Sequence, residues 1–298
     1  MSIILTVIIV LTAIIIIGCS DENGETETSA NSEINVNNVN NEEPNNEHKE
    51  IPAFVHIAGY QIDTSWTELD FRELELHQHD IEPLKYMINL RELYLNNNYI
   101  SNINILAGLT DLRILGLENN QNNDISALAE LTNLTRLGLE NNQINDLSPL
   151  SGLINLTELY LDGNQIRDIS PLAKLTNLTI LNLWNNYQLE TISSLAGLTN
   201  LTWLSLTNNP VGDISALAGL TNLATLGLNN SQVNDISALA GLTNLTRLGL
   251  ENNRINDISA LAILTNLAHL SLENNPLTAE QIAELREALP NTEIYADY

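Results

Sequence analysis

The apolar positions of this chain recur on a fixed frame. Between Leu90 and Leu277, leucine and isoleucine follow the pattern Leu-x-x-Leu-x-Leu-x-x-Asn-x-Ile-x-Asp-Ile-Ser-x-Leu-x-x-Leu-Thr-Asn. Its Leu-x-Leu centres stand at Leu93/Leu95, Leu115/Leu117, Leu137/Leu139, Leu159/Leu161, Leu181/Leu183, Leu204/Leu206, Leu226/Leu228, Leu248/Leu250 and Leu270/Leu272. Every step between them has the same length except that from Leu181 to Leu204, which carries one extra residue. Alternation over so short a run predicts a brief strand whose leucines point inward while Glu92, Tyr94, Asn96 and their equivalents point out. In the other half of the unit, Ser148-Pro149 and Ser170-Pro171 read as an N-cap followed by proline in the first helical position. Ser126, Ser215, Ser237 and Ser259 precede alanine at the same place. Short 3₁₀ or α turns are expected there. One such unit cannot bury its apolar face alone, so neighbours must stack. The predicted fold is an α/β repeat solenoid with a parallel β-sheet on the concave face and short 3₁₀ or α turns on the convex face.

Three residues beyond the second leucine stands Asn98, matched by Asn120, Asn142, Asn164, Asn186, Asn209, Asn253 and Asn275. A carboxamide donates and accepts at once, so a stacked ladder of them can satisfy turn backbone groups that burial would leave unpaired. Ser231 interrupts this series and is expected to be a soft point. The ends need caps, because a solenoid exposes its core at both tips. Thr278 with Gln281 resembles a capping box, and Ile282, Leu285 and Leu289 recur at helical spacing up to Pro290, before a closing strand at Thr292 to Tyr295. At the other end, Asp80-Ile81-Glu82-Pro83-Leu84 aligns with Asp146-Leu147-Ser148-Pro149-Leu150. The strand before it is read as Leu69-x-Phe71 in preference to Leu74-x-Leu76.

The N-terminal segment, 1–50, departs from the pattern. Ser2 to Ile17 carry no charge and lead into Gly18-Cys19, the chain's single cysteine. The run is shorter than the usual ~17–25 residues of a spanning helix and has the character of an export signal. It resembles a bacterial lipobox, which implies that Cys19 becomes the lipidated first residue of the mature protein; the alternatives are an uncleaved membrane anchor or a free thiol. Residues 20 to 50 are rich in Asn, Glu, Ser and Thr and cannot bury enough surface to fold, so they are expected to act as an acidic tether. The expected organisation is a signal peptide at 1–18, lipidated Cys19 and tether at 19–50, an N-terminal cap with a first irregular repeat at 51–89, repeats at 90–277 and a C-terminal cap at 278–298.

A formal net charge of −26 and a pI near 4.2 argue against nucleic acid as a partner, since phosphate recognition needs clustered Lys and Arg. The same charge admits basic or Ca²⁺-bridged partners. With one cysteine, internal disulfides are excluded and stability rests on the core. The chain lacks a phosphate-cradling glycine loop, a nucleophile elbow, a Cys-x-x-Cys and a His-Glu-x-x-His, so no catalytic residue, cofactor or metal site is assigned. His77 and His79 form only a weak ligand pair with no third partner. Triplets such as Asn133-Leu134-Thr135 mimic glycosylation sites but are by-products of the repeat.

Function should therefore lie in the outward columns, whose residues the fold does not require. Glu118, Glu140 and Asp162 occupy one column, continued by Glu251 and Glu273; at strand spacing, neighbours among the first three stand roughly 5 Å apart and repel one another. A cationic partner group or Ca²⁺ would relieve that repulsion, whereas a merely solvated acidic face is the alternative. Tyr94, Tyr160, Trp184 and Trp203 fall at outward positions, Arg136 and Arg247 join them, and Tyr187 sits in the one lengthened repeat. Exposed Trp and Tyr are typical interface anchors. The inserted residue has an alternative consequence, the rotation of Tyr187 or Trp184 into packing between repeats.

The 22-residue frame with its Asp-Ile-Ser-x-Leu and Leu-Thr-Asn-Leu segments, as in Asp235 to Leu245, is similar to internalin-type leucine-rich repeats. The resemblance covers the chain from about Leu69 to its end. It implies a curved horseshoe that binds protein partners at a bacterial surface. Two readings are carried forward: a lipid-anchored, extracytoplasmic, monomeric protein whose concave face binds a protein or surface polymer, and an envelope spacer without a specific ligand. An enzyme is not expected, because the repeats offer a broad curved surface and no cleft.

Overall fold

The computed structural model describes residues 51–297; the signal segment, Cys19 and the tether expected in residues 1–50 lie outside the described residues. Short strands recur once per repeat as β4 (Glu92–Tyr94), β5 (Ile114–Gly116), β6 (Arg136–Gly138), β7 (Glu158–Tyr160), β8 (Ile180–Asn182), β9 (Trp203–Ser205), β10 (Thr225–Gly227), β11 (Arg247–Gly249) and β12 (His269–Ser271). They are preceded by β3 (Glu68–Asp70) and followed by β13 (Glu293–Tyr295), giving an eleven-stranded sheet among the described residues. All pairings in it are parallel and in register, so that Leu69, Leu93, Leu115 and Leu137 form one continuous column. The first strand of this sheet is thus the Leu69 segment, and the step from it to Leu93 is slightly longer than the common repeat. The strands β3 to β11 each return through a 3₁₀ turn, from Glu82–Tyr86 after β3 to Ser259–Leu261 after β11. Between these two layers the leucine and isoleucine columns are almost wholly excluded from solvent. The fold is a leucine-rich repeat solenoid.

The serines do not cap the turns as the sequence pattern implied. Each serine is itself the first residue of the 3₁₀ turn, and no side-chain cap forms at the preceding residue. The carboxylate two residues upstream takes that role. Asp124, Asp146, Asp168, Asp213, Asp235 and Asp257 accept from the backbone N–H of Ser126, Ser148, Ser170, Ser215, Ser237 and Ser259 at 2.8 to 2.9 Å. The serine backbone is already helical, so its own N–H has no partner within the turn, and a short acidic side chain reaches it.

The asparagine ladder forms. In the repeat of Asn164, Nδ2 donates to the carbonyls of Leu139 and Leu161 at 2.9 and 3.0 Å, and Oδ1 accepts from the N–H of Ile144 at 3.0 Å. Ser231 stays in the series as a fully buried donor, its Oγ bonded to the Leu206 carbonyl at 3.1 Å, so the ladder is weakened there and not cut. The inserted residue after Asn186 has the larger local effect. It lets the Leu189 N–H turn back to the Asn186 carbonyl, and Asn209 Oδ1 is left buried without a partner. The asparagine before each ladder residue has a separate reason to be there. Asn97, Asn119, Asn141, Asn185, Asn208, Asn230, Asn252 and Asn274 take the left-handed conformation at φ of 51° to 60°, and Gly163 replaces them once. A further series, Asn133, Asn155, Asn177 and their equivalents, donates from Nδ2 to a carbonyl of the preceding repeat at 2.8 to 2.9 Å, which engages the amide of every Asn-Leu-Thr triplet.

Asn122 breaks the pattern from inside. It stands where other repeats place Ile100 or Ile144, is fully buried, and leaves Oδ1 without a partner. Its only side-chain bond is a 3.2 Å donation to Asn142, which keeps the Asn122 backbone N–H in any case. A buried orphan acceptor costs ~1–3 kcal/mol, so Asn122→Ile should raise stability by about 1–2 kcal/mol in urea unfolding; an unchanged or lower midpoint would show that the amide is satisfied.

Both ends are capped. At the C-terminus, α1 (Ala279–Ala288) begins with the capping box of Thr278 and Gln281 and buries Ile282 and Leu285. At the N-terminus, β1 (Phe54–Ile57) and β2 (Tyr60–Asp63) form an antiparallel hairpin that buries Val55, Ile57 and Ile62. This hairpin was not foreseen from the sequence, although Ala58-Gly59, both at positive φ between two short alternating runs, carries its signal.

Candidate functional site

The concave face presents three outward positions per repeat. The first holds Glu92, Ile114, Arg136, Glu158, Ile180, Trp203, Thr225, Arg247 and His269; the second, from β4 to β12, reads Tyr94, Gly116, Gly138, Tyr160, Asn182, Ser205, Gly227, Gly249 and Ser271. The third follows each strand and aligns Glu118, Glu140, Asp162 and Trp184.

Two arginines, two tyrosines and four glutamates gather near the N-terminal end of the sheet. Tyr94 and Tyr160 are three strands apart, with Gly116 and Gly138 between them. The Arg72 guanidinium lies over the Tyr94 ring and that of Arg136 over the Tyr160 ring, each 5.3 Å from the centroid. Each tyrosine hydroxyl donates to a glutamate of the first column, Glu92 or Glu158, at 3.0 Å, and Arg136 pairs with Glu158 at 3.4 Å. The glycines make room for carboxylates. A Cβ on Gly138 would fall 2.2 Å from Glu118 Oε1 and 3.0 Å from Glu140 Oε2, so both side chains fold down across the bare backbone.

That folded position is electrostatically costly. Glu118 and Glu140 each keep one oxygen buried and without a hydrogen-bond partner. Burial, and then the neighbouring Glu118, push Glu140 up to about 8, while Arg136 opposes them. Burial also raises Glu118 and Asp162, with Arg136 and Arg72 pulling Glu118 the other way. Burial and the bond to Glu92 push Tyr94 up to about 12. The column does not make a Ca²⁺ site of the kind its spacing invited. Glu118 and Glu140 approach each other over Gly138, but no group of three or more potential metal ligands occurs among the described residues.

The remaining sequence-chosen residues lie apart from this cluster. Trp184 is 44% exposed at the end of the acidic column, and Tyr187 is 68% exposed on the rim where the chain leaves the sheet, its hydroxyl donating to Asn185. The inserted residue therefore turns outward, and neither ring packs between repeats. Trp203 neighbours Ile180 in the first column, at the opposite end of the strands from Trp184. Arg247 lies two strands further on, at a separate trough of about 320 Å³ bounded by Trp203, Glu251 and Tyr295. Arg72, Glu92 and Glu158 were missed, as was the trough. The run Tyr-Gly-Gly-Tyr followed by Ser-Gly-Gly-Ser in the second column was the available signal.

The fold and this face define a class of interaction scaffold. The chain belongs to the leucine-rich repeat family: the family profile described as "Leucine Rich repeats (2 copies)" matches residues 88–130, 132–174, 154–197, 199–241 and 243–287. Within that family it is internalin-like. An internalin, inlF, from Listeria monocytogenes str. 4b F2365 is 29% identical with a TM-score of 0.61, the match covering 80% of this chain and 86% of that one. Internalin C2 from the same strain is 35% identical with a TM-score of 0.51, over 73% of this chain and 85% of that one. The ectodomain of the plant receptor kinase GASSHO1/SCHENGEN3 from Arabidopsis thaliana is 27% identical with a TM-score of 0.63, over 71% of this chain and 27% of that one. A search of curated protein sequences finds no match. Leucine-rich repeat proteins generally mediate protein interactions.

Proposed function

We propose that this protein is an extracytoplasmic, lipid-anchored receptor that binds a protein partner through its concave face. The observation that carries the reading is the concentration of aromatic and charged side chains on a surface the core does not use. Tyr94, Tyr160, Arg136, Glu118 and Glu140 form one connected patch, and Trp184 and Tyr187 stand exposed beyond it. Large rings on a rigid sheet are anchors that lose little entropy on binding. Asp162, Trp203 and Arg247 extend the contact surface in this reading. The plant ectodomain above was solved in complex with CASPARIAN STRIP INTEGRITY FACTOR 2, and the internalins match over most of their length, which supports a surface-exposed binding role. In this reading the anchor is the lipidated Cys19 with its tether, as the lipobox resemblance implies; among the described residues no helix is long and apolar enough to cross a membrane.

The test is crosslinking capture from envelope and host-surface extracts, followed by titration of the purified partner. Trp184→Ala should weaken binding about tenfold with folding unchanged. Equal binding by the variant would move the contact elsewhere, and no saturable partner at all would favour a spacer role.

A further inference from the structure

We propose that the trough at the C-terminal half of the concave face is a second binding site, for a neutral oligosaccharide. It is distinct from the tyrosine–glutamate cluster. Its floor is made of Ser205, Gly227, Gly249 and Ser271, which occupy the register that Tyr94 and Tyr160 fill elsewhere. That register holds a tyrosine elsewhere; here a Cβ on Gly227 would fall 2.9 Å from Thr207 Oγ1 and one on Gly249 2.7 Å from Asn229 Oδ1, and beside those two side chains the small residues leave a cavity of about 320 Å³.

The second observation is the state of the polar groups around it. The hydroxyls of Ser205, Thr225 and Ser271, the Arg247 guanidinium and the Glu251 carboxylate all lie on the trough, and none makes a side-chain hydrogen bond or ion pair among the described residues. Arg247 and Glu251 place a cation and an anion on opposite walls, and the His269–Glu293 pair stands at the Tyr295 end. Free donors and free acceptors on opposite walls match a ligand whose every polar group can both donate and accept, which is the property of a hydroxyl. A carboxylate or an ammonium group would satisfy one wall and be repelled by the other. Trp203 and Tyr295 bound the ends and offer rings to the apolar C–H faces of a pyranose. From β9 to β13 is four strand steps, about 19 Å, room for a short chain of sugar rings. Residues carried on paired strands are already ordered, which lowers the entropy lost on binding.

The whole chain is titrated with maltotetraose, cellotetraose and tetra-N-acetylchitotetraose, by calorimetry and ligand-observed NMR, up to about 10 mM. At least one should bind saturably with Kd of about 0.1–1 mM. Gly249→Tyr, which closes the trough, and Arg247→Gln should each weaken that binding at least about tenfold, while Lys174→Ala on the convex turns leaves it unchanged. Circular dichroism and unfolding midpoints report whether the variants fold. No saturable binding of any of the three sugars, or binding that both trough variants retain, overturns the proposal. Binding of an acidic hexapeptide in the trough in place of sugar would overturn it as well. The Trp184→Ala outcome with a protein partner bears on the receptor reading and not on this one.

Discussion

Replacing Asn164 by alanine should lower the unfolding free energy by about 3–5 kcal/mol, a large effect for a single polar substitution outside the leucine columns. The side chain is buried and makes four bonds: to the carbonyls of Leu139, Leu161 and Asp162, and from the N–H of Ile144. Alanine leaves those backbone groups buried without partners, at ~1–3 kcal/mol for each that water cannot reach. Asn155→Ala is the control. It removes one exposed bond to the Thr132 carbonyl and should cost under about 1 kcal/mol. Urea unfolding of the whole chain distinguishes the two, and equal losses would mean the ladder is not what satisfies the turns. Because each repeat touches only its neighbours, a shallower slope for Asn164→Ala would further indicate that the stack has begun to unfold in parts.

Thermal stability should peak at about pH 4, between the ordinary values of aspartate and glutamate, with two limbs of different origin. Glu140 has its folded pKa raised to about 8 from 4.5, so the folded state holds the proton more tightly than the unfolded one. Stability therefore rises as pH falls through 8 towards 4.5 and is lost as the carboxylate ionises in place. Allowing for the solvent that reaches this partly buried group, the gain is about 2 kcal/mol. The acid limb has the opposite sign. Asp124, Asp146, Asp213, Asp235 and Asp257 are held below 3.8 by bonds from the serines they cap, so their contribution is present above 3.8 and disappears as pH falls through their lowered values. Glu140→Gln should flatten the alkaline limb and leave the acid limb in place. A variant with an unchanged profile between pH 5 and 9 would show that Glu140 does not carry this charge cost.

The repeat architecture was legible because burial and periodicity speak together. Leucine at fixed spacing needs no long-range information to name its face, and Thr278 with Gln281 announces a helix start through local hydrogen bonding alone. What was misread depended on a few tenths of a turn. Whether Ser148 or Asp146 caps depends on which residue first turns helical, and composition is the same in both cases. The N-terminal hairpin carries too few residues for a periodic signal. In the candidate site, the outward columns could be written down from the frame, which put Tyr94 at an outward position and Glu118 and Glu140 next to one another in a single column. The descent of Glu118 onto Gly138 and the reach of Arg72 to Tyr94 are side-chain matters, set by the space a glycine leaves and by a first repeat longer than the common unit.

Hydroxyl-radical footprinting of the captured complex tests most directly whether the concave face is the receptor surface, because oxidation reads the exposure of individual aromatic rings. Binding should protect Tyr94, Tyr160, Trp184 and Tyr187, while Tyr86 and Tyr99, which lie off the sheet in the first repeats, react as in the free chain. Protection confined to Tyr86 and Tyr99, with the sheet aromatics still fully reactive, would contradict a concave-face receptor.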